Sequence, residues 1–458
     1  MLVISDHMDQ DVDFYVPPGS DATDAFQEAY ELSKIYGVVH IVVRGRLYIY
    51  AREGVVPLYL SQSLHHVIEG DGLAEIIYVN PNGVSDVKPV ISAGSEATVE
   101  MEFASDEQEF INPQLVGYST WGWVFAMKNL RVINLTSQRW FMITGFPYHM
   151  HSTMFYFDSV EFFSGIWLNQ TALVVLYNCY VNNAEILFDT QSRELIAIGC
   201  RFDRDAVLAM SPRGWTVIGC VFVGTNVTAL NPGTDGNDGS VVGCIFDGAT
   251  IVTQGATRLR IVGSTFENIT IPSEGKIILT LATDYVIVGC SFYNYNVIME
   301  YLKLGDRVTV AFNTFDSSSL VILVGDNHMI NMVSIIGNVF SNGMIFISGS
   351  ENGKELELTG KINILYVSFN TFITTSTTSW NLGNGYTIQG NSPINVAITV
   401  DYVYVVMNNF LGSVNASFSL QQLNQNVGLI QGLFFYYNVN LGEILVPPSQ
   451  SVVSEMNF

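Results

Sequence analysis

The chain has 458 residues, of which 48% are hydrophobic and only 13% charged, and its formal net charge is −23 at pH 7. That balance argues against a nucleic-acid partner, because a phosphate backbone demands Lys and Arg, and no apolar run approaches the roughly 20 residues that a membrane-inserted helix needs. The apolar surface must be buried inside the chain or against other chains.

Met1–His7 lacks a basic stretch followed by a long apolar core, so no secretory signal is visible. A protein of this kind working outside a cell would leave by another route, for example as part of a virus particle. Residues 1–18 read as an irregular arm ending in Val16-Pro17-Pro18-Gly19. One clear helix follows: Ser20 and Asp21 are capping residues, Ala22, Ala25, Phe26, Ala29, Leu32 and Tyr36 recur at helical spacing, and Gly37 supplies the stop. Arm and helix make a first segment, 1–37. Val39, Ile41 and Val43 then alternate with polar neighbours, Leu47 and Ile49 do so again, and Leu58-Tyr59-Leu60 adds a third short strand. His65 and His66 point to opposite faces of any strand that carries them, and Gly70-Asp71-Gly72 reads as a turn before Glu75–Val79.

Between 80 and 125 the pattern is weak, with a turn at Asn80–Gly83 and an aromatic cluster over Tyr118–Trp123. From Phe125 to Leu441 a phrase keeps returning: two apolar residues, Gly, a small or polar residue, any residue, Phe. It stands as Ala197-Ile198-Gly199-Cys200-Arg201-Phe202, then around Cys220, Cys244, Ser264 and Cys290, and continues with Asn in the central slot at Asn313, Asn338, Asn370 and Asn408. Weaker echoes lie near Asn129, Cys179 and Asn438. A strand-like repeat every 20 to 38 residues means stacked coils of a solenoid, so 38–441 reads as a parallel β-helix and 442–458 as a tail. All five cysteines fall on or beside the repeating slot, where parallel in-register side chains suit a disulfide poorly; buried free thiols are expected. The longest coils emit the loops Ser348–Lys354 and Thr374–Pro393.

The helix, the strand after it, Arg46-Leu47-Tyr48-Ile49, Pro57-Leu58, Val67-Ile68-Glu69-Gly70-Asp71-Gly72 and the next apolar strand together resemble the N-terminal entry of pectate-lyase-like right-handed parallel β-helices, a superfamily that includes phage tailspikes and related depolymerases. The resemblance implies an all-β, single-stranded right-handed parallel β-helix whose N-terminal α-helix caps the open end against edge-to-edge pairing. It also implies that the slot Asn residues sit at a tight turn, bonded to their neighbours in adjacent coils, with stacked Phe below. Elimination of the pectate-lyase type needs an Arg base beside a calcium-binding acidic cluster, and polygalacturonase-type hydrolysis needs a dense set of Asp with a His and an Arg-x-Lys. Neither pattern can be placed here, so the resemblance transfers no catalytic residue.

Chemistry-bearing residues are few. The position after the repeating Phe gives a column containing Asp203, Asp247 and Glu267; adjacent coils would hold two of these carboxylates near 5 Å apart and alternate coils near 10 Å, roughly bracketing glycosidase spacings. Solvated turn carboxylates are the plainer reading. Asp235 and Asp238 lie in an oxygen-rich loop that can offer calcium a flexible site, against the simpler reading of a connecting loop. His149 and His151 lack a third ligand nearby. Tyr293, Tyr295, Trp380 and Tyr386 are candidate sugar-stacking aromatics, each equally suited to a core. Sequons stand at Asn134, Asn169, Asn226, Asn268 and Asn415, which would be glycosylated only outside the cytosol.

After Lys361 there is no Lys or Arg, and only Asp401, Glu443 and Glu455 are acidic. Surface so poor in charge calls for a cover of partner subunits or glycans. Three functions follow as expectations: a virion structural or host-attachment protein of the tailspike or fibre kind; an extracellular polysaccharide lyase or glycoside hydrolase using Asp203, Asp247 and Glu267; or a cell-surface adhesin or coat protein. The first is preferred, with binding rather than catalysis as its business. It implies a virion-surface or extracellular location, a homo-oligomer with a trimer favoured, other virion proteins as partners, and contact with host surface glycans. The composition is also similar to surface proteins of archaea from hot, acidic habitats and their viruses, where protonation of many of the 42 acids would lower self-repulsion.

Overall fold

A computed structural model describes residues 1–35, 38–60, 65–93, 124–144, 154–168, 171–188, 194–204, 206–210, 214–224, 228–232, 238–254, 258–268, 276–280, 284–300, 306–325, 329–350, 360–374, 379–381, 387–389, 392–412, 416–420, 432–441, 443–445 and 452–455. They fall into two compact units, Met1–Val221 and Phe222–Phe458. Each is a parallel β-helix of three-strand coils in which a strand pairs, parallel and in register, with its counterpart in the next coil. In the first unit Leu173–Tyr177 pairs with Glu194–Ile198, Tyr180–Asn182 with Arg201–Asp203, and Glu185–Phe188 with Val207–Met210. In the second, Asp284–Val288, Ser291–Tyr293 and Asn296–Glu300 pair in the same way with Asp306–Ala311, Thr314–Asp316 and Leu320–Gly325. No helix among the described residues is long and apolar enough to cross a membrane.

Alternation builds the interior, since successive residues of a strand face opposite ways. In the second unit Phe222, Phe246, Phe266, Phe292, Phe315, Phe340, Phe372 and Phe410 stack face to face with centroids 4.6–5.2 Å apart. The repeating slot serves one need throughout. At each tight turn a buried backbone N–H points along the stack and requires an acceptor. Cys220 Sγ accepts from Cys200 N in the first unit, and in the second Ser264 Oγ accepts from Cys244 N and Asn313 Oδ1 from Cys290 N. The asparagines then accept from one another's backbone along Asn313, Asn338, Asn370, Asn408 and Asn438 at 2.9 Å. All five cysteines are free and buried. Burial pushes the Cys290 thiol up to about 11, and hydrogen bonding with Cys179, with burial adding to it, raises Cys200, so neither is a ready nucleophile.

Both ends differ from the sequence reading. The arm is ordered: Leu2–Ser5 pairs parallel with Val38–Arg44 and with Phe14–Tyr15. The helix runs Thr23–Lys34 and packs against these strands, but Ala22 occupies the N-cap without a side-chain bond. Asp21 instead accepts from the Thr23 amide and hydroxyl, the Tyr50 amide and Arg52. Burial works to raise the Asp21 carboxyl, yet these donors hold it below its ordinary value. His65 and His66 do face opposite ways: His66 is buried and stacks on Tyr30, whereas exposed His65 accepts the Val124 amide at Nδ1. The expected turn at Gly70–Gly72 is absorbed into one strand, His65–Val79, whose register shifts between Glu69 and Ala74. At the other end the tail boundary moves, because Glu443–Leu445 and Val452–Glu455 extend the sheets of the second unit.

Candidate binding groove

A groove of about 680 Å³ lies in the first unit and is lined by Asp6, His7, Gly45, Arg46, Tyr48, Leu73, Glu75, Asn129, Arg131, Ser159 and Glu161 among others. Strand register creates it. Arg46 pairs with Glu75, Glu75 with Arg131 and Arg131 with Glu161, so charges alternate up one column on the outer face of the sheet. Glu75, only 12% exposed at its side chain, takes one guanidinium on each oxygen: Arg46 Nε at 2.5 Å and Arg131 Nη1 at 2.9 Å. Arg131 Nε then reaches Glu161 Oε2 at 2.7 Å, and its guanidinium lies 5.6 Å over the Phe163 ring. Glu75 raises the Arg46 guanidinium above its ordinary value, and Glu161, ahead of Glu75, does the same for Arg131. Both arginines are held as fixed cations.

Asp6 closes one side. Its Oδ2 accepts the Arg46 amide at 3.0 Å, and Oδ1 lies 2.5 Å from His7 Nδ1 without hydrogen-bond geometry. Gly45 makes this approach possible: its φ is +73°, and a Cβ there would sit 1.7 Å from the Asp6 carboxylate. Apart from His7, two arginines face three carboxylates, and the exposed guanidinium and carboxylate edges between them donate and accept. That set suits a neutral polyhydroxylated ligand better than a polyanion.

The groove was not singled out from sequence, although a signal existed. Arg131, Glu161, Tyr180 and Arg201 each stand two residues after the turn residue of their coil, Asn129, Ser159, Asn178 and Gly199, all at positive φ. Aligning those turns puts the four in one column.

The sequence-predicted residues are dispersed. Asp203, in the first unit, accepts from Arg201 Nε at 2.8 Å. Asp247 and Glu267 are register partners in the second unit, and Glu267 is followed by exposed Tyr293 in the same column. Tyr295 belongs to the core: it is fully buried and its hydroxyl donates to the Ala249 carbonyl, which removes it from the sugar-stacking candidates. Trp380 lies on strand Ser379–Asn381, paired antiparallel with Thr387–Gln389. Asp238 pairs with Arg258 at 2.6 Å, so a cation there would compete with a guanidinium, and among the described residues no three His, Cys, Asp or Glu side chains gather to hold a metal. Asn134 engages its amide locally, donating to Gln138 O and accepting from Thr136, while Asn268 is half-buried. The readings on Tyr118–Trp123, His149, His151, Asn169, Asn226, Asp235, Tyr386 and Asn415 fall outside the described residues.

No family model and no curated protein matches the chain. Solved structures similar to it include two of parallel β-helix type. One is the A-module of a mannuronan C-5 epimerase from Azotobacter vinelandii, with TM-score 0.38 and 11% identity, covering 94% of this chain and 96% of that one. The other is tailspike protein 3 of bacteriophage CBA120, with TM-score 0.34 and 12% identity, covering 96% of this chain and 58% of that one. Neither carries a residue role over to this chain.

Proposed function

We propose that the protein is a structural and host-attachment component of a virus particle, built like a tailspike or fibre, that binds host surface glycans in the Arg46–Glu75–Arg131–Glu161 groove. The observation that carries this reading is the charge ladder: fixed donors and acceptors, Arg46, Glu75, Arg131 and Glu161, line a groove of ligand size. On this reading the protein is exposed at the virion surface, works as a homo-oligomer with a trimer favoured, and is anchored by other virion proteins. Arg131→Gln removes a guanidinium that is 42% exposed while Glu75 keeps Arg46. Charge-assisted hydrogen bonds contribute about 1.5–3 kcal/mol each, so binding to purified host-surface polysaccharide should weaken about ten- to 100-fold by calorimetry or interferometry. Unchanged affinity in a folded variant would remove the groove from the function.

The register pairing of Asp247 with Glu267 favours one second reading, hydrolysis. Parallel neighbours stand about 4.8 Å apart, close to the roughly 5–5.5 Å separation of a retaining glycosidase. For an attachment protein, incubation with host polysaccharide yields no new reducing ends. Their appearance, and their loss in Asp247→Asn, would transfer the assignment to hydrolysis.

A further inference from the structure

The turn before the repeating slot holds a residue at positive φ in every described coil, a conformation that suits Gly, Asn and few others. In the second unit the column begins as expected with Gly243, Gly263 and Gly289, but then runs Phe312, Gly337, Phe369, Met407, Tyr437, with φ between 54° and 67° over these last five. The backbone bonds from Phe312 N to Ile336 O, Gly337 N to Ser368 O, Phe369 N to Val406 O and Met407 N to Tyr436 O place them in consecutive coils. A bulky residue in the left-handed region is disfavoured by about 1–2 kcal/mol. Packing inside the unit offsets this only in part: the Phe312 ring lies against Gly337, and Tyr437 lies beside Tyr436, yet Phe312 remains 68% exposed, Phe369 58%, Met407 45% and Tyr437 44%. Four strained, outward apolar side chains in one line on a folded surface are the pattern of a contact face.

We infer that this column is the seam along which a second copy of the chain packs. Charge selects the occupant. Copies carrying −23 each repel over most of their surface, but from Lys361 onward the only cation is Lys361 itself, and it is paired with Asp401 at 2.7 Å. Glu443 and Glu455 are the only other acidic side chains of that stretch, which carries Phe369, Met407 and Tyr437, so along most of the column two copies meet with little charge to oppose them. A sugar is a poorer fit, because saccharides pack on open ring faces. The aromatics on the strands leading into this turn, Tyr366, Tyr404 and Phe434, instead cover one another's faces at 4.8 and 5.0 Å. The inference deepens the homo-oligomer of the proposed function by naming its surface, and rests on that reading.

The test is sedimentation velocity on the full chain and on the quadruple variant Phe312→Asn, Phe369→Asn, Met407→Asn, Tyr437→Asn, from sub-micromolar to high micromolar concentration. The native chain is expected to associate, and the variant to associate at least about 100-fold more weakly, since buried aromatic anchors carry about 2 kcal/mol or more each. The variant's monomer should melt no lower than the native monomer, because Asn tolerates the left-handed turn. A native chain that stays monomeric throughout, a variant that associates unchanged, or a variant less stable as a monomer each overturns the seam. The single variant Phe369→Asn, expected to weaken association at least about tenfold, decides the matter if the quadruple one does not fold. Polysaccharide binding on the same samples separates the two ideas: a seam that behaves as expected without glycan binding removes attachment and leaves the seam, and unchanged association with intact glycan binding does the reverse.

Discussion

Asn370→Ala is expected to lower the free energy of unfolding by about 2–5 kcal/mol, read from urea or thermal unfolding. Asn370 is 1% exposed and its side chain makes four bonds along the stack. Its Oδ1 accepts from Asn338 N at 2.9 Å and from Asn338 Nδ2 at 3.0 Å, and its Nδ2 donates to Ile335 O at 2.9 Å and to Asn408 Oδ1 at 3.0 Å. Alanine leaves the buried Asn338 amide without this acceptor, and each such orphan costs about 1–3 kcal/mol. Asn370→Ser supplies the control, because Ser264 in the same slot accepts the Cys244 amide at 3.1 Å. Serine should therefore lose less than half of what alanine loses. Equal losses would mean that the slot contributes by volume alone.

Phe315→Ala is expected to cost about 3–5 kcal/mol, the usual range for a large aromatic deleted from a core. The ring is fully buried and sandwiched, 4.7 Å from Phe292 and 4.6 Å from Phe340. The strand on either side is tied in register to its neighbours, so the coil cannot collapse into the void and the cavity term stays large. Phe315→Leu keeps most of the volume and should cost less than half as much. A Phe315→Ala protein as stable as the native one would show that the stack is ornamental to stability, with the backbone ladders holding the fold alone.

How much could be read before the structure depends on the kind of regularity involved. The Gly-Cys/Asn-x-Phe phrase repeats at sequence level, so the parallel coils, the buried cysteines and the Phe stack were legible from it. Asn, Ser and Cys share one slot because each offers an acceptor to the same buried amide. Order in the arm was less legible: Leu2–Ser5 finds its partner about 40 residues on, at Val38–Arg44, and Pro17-Pro18-Gly19 masks the connection. For Tyr295 the sequence left sugar stacking and a core place both open; the left-handed turn at Asn294 reverses the alternation that leaves Tyr293 exposed and sends Tyr295 inward.

By itself the sequence determined the architecture, since a strand-length repeat with apolar alternation can bury its surface only by stacking coils on each other. It also determined that the last coils carry almost no charge. Only the tertiary structure decided where the groove and the exposed apolar column lie. Glu75 lies between Arg46 and Arg131 because parallel register brings together residues 29 and 56 positions apart, and no local pattern encodes that register. The exposed side chains at Phe312, Phe369, Met407 and Tyr437 likewise read as ordinary apolar residues until the backbone dihedrals reveal them in a conformation that favours Gly or Asn. The repeat is specified by near neighbours in sequence, whereas the groove and the seam are specified by which residues one coil happens to set above another.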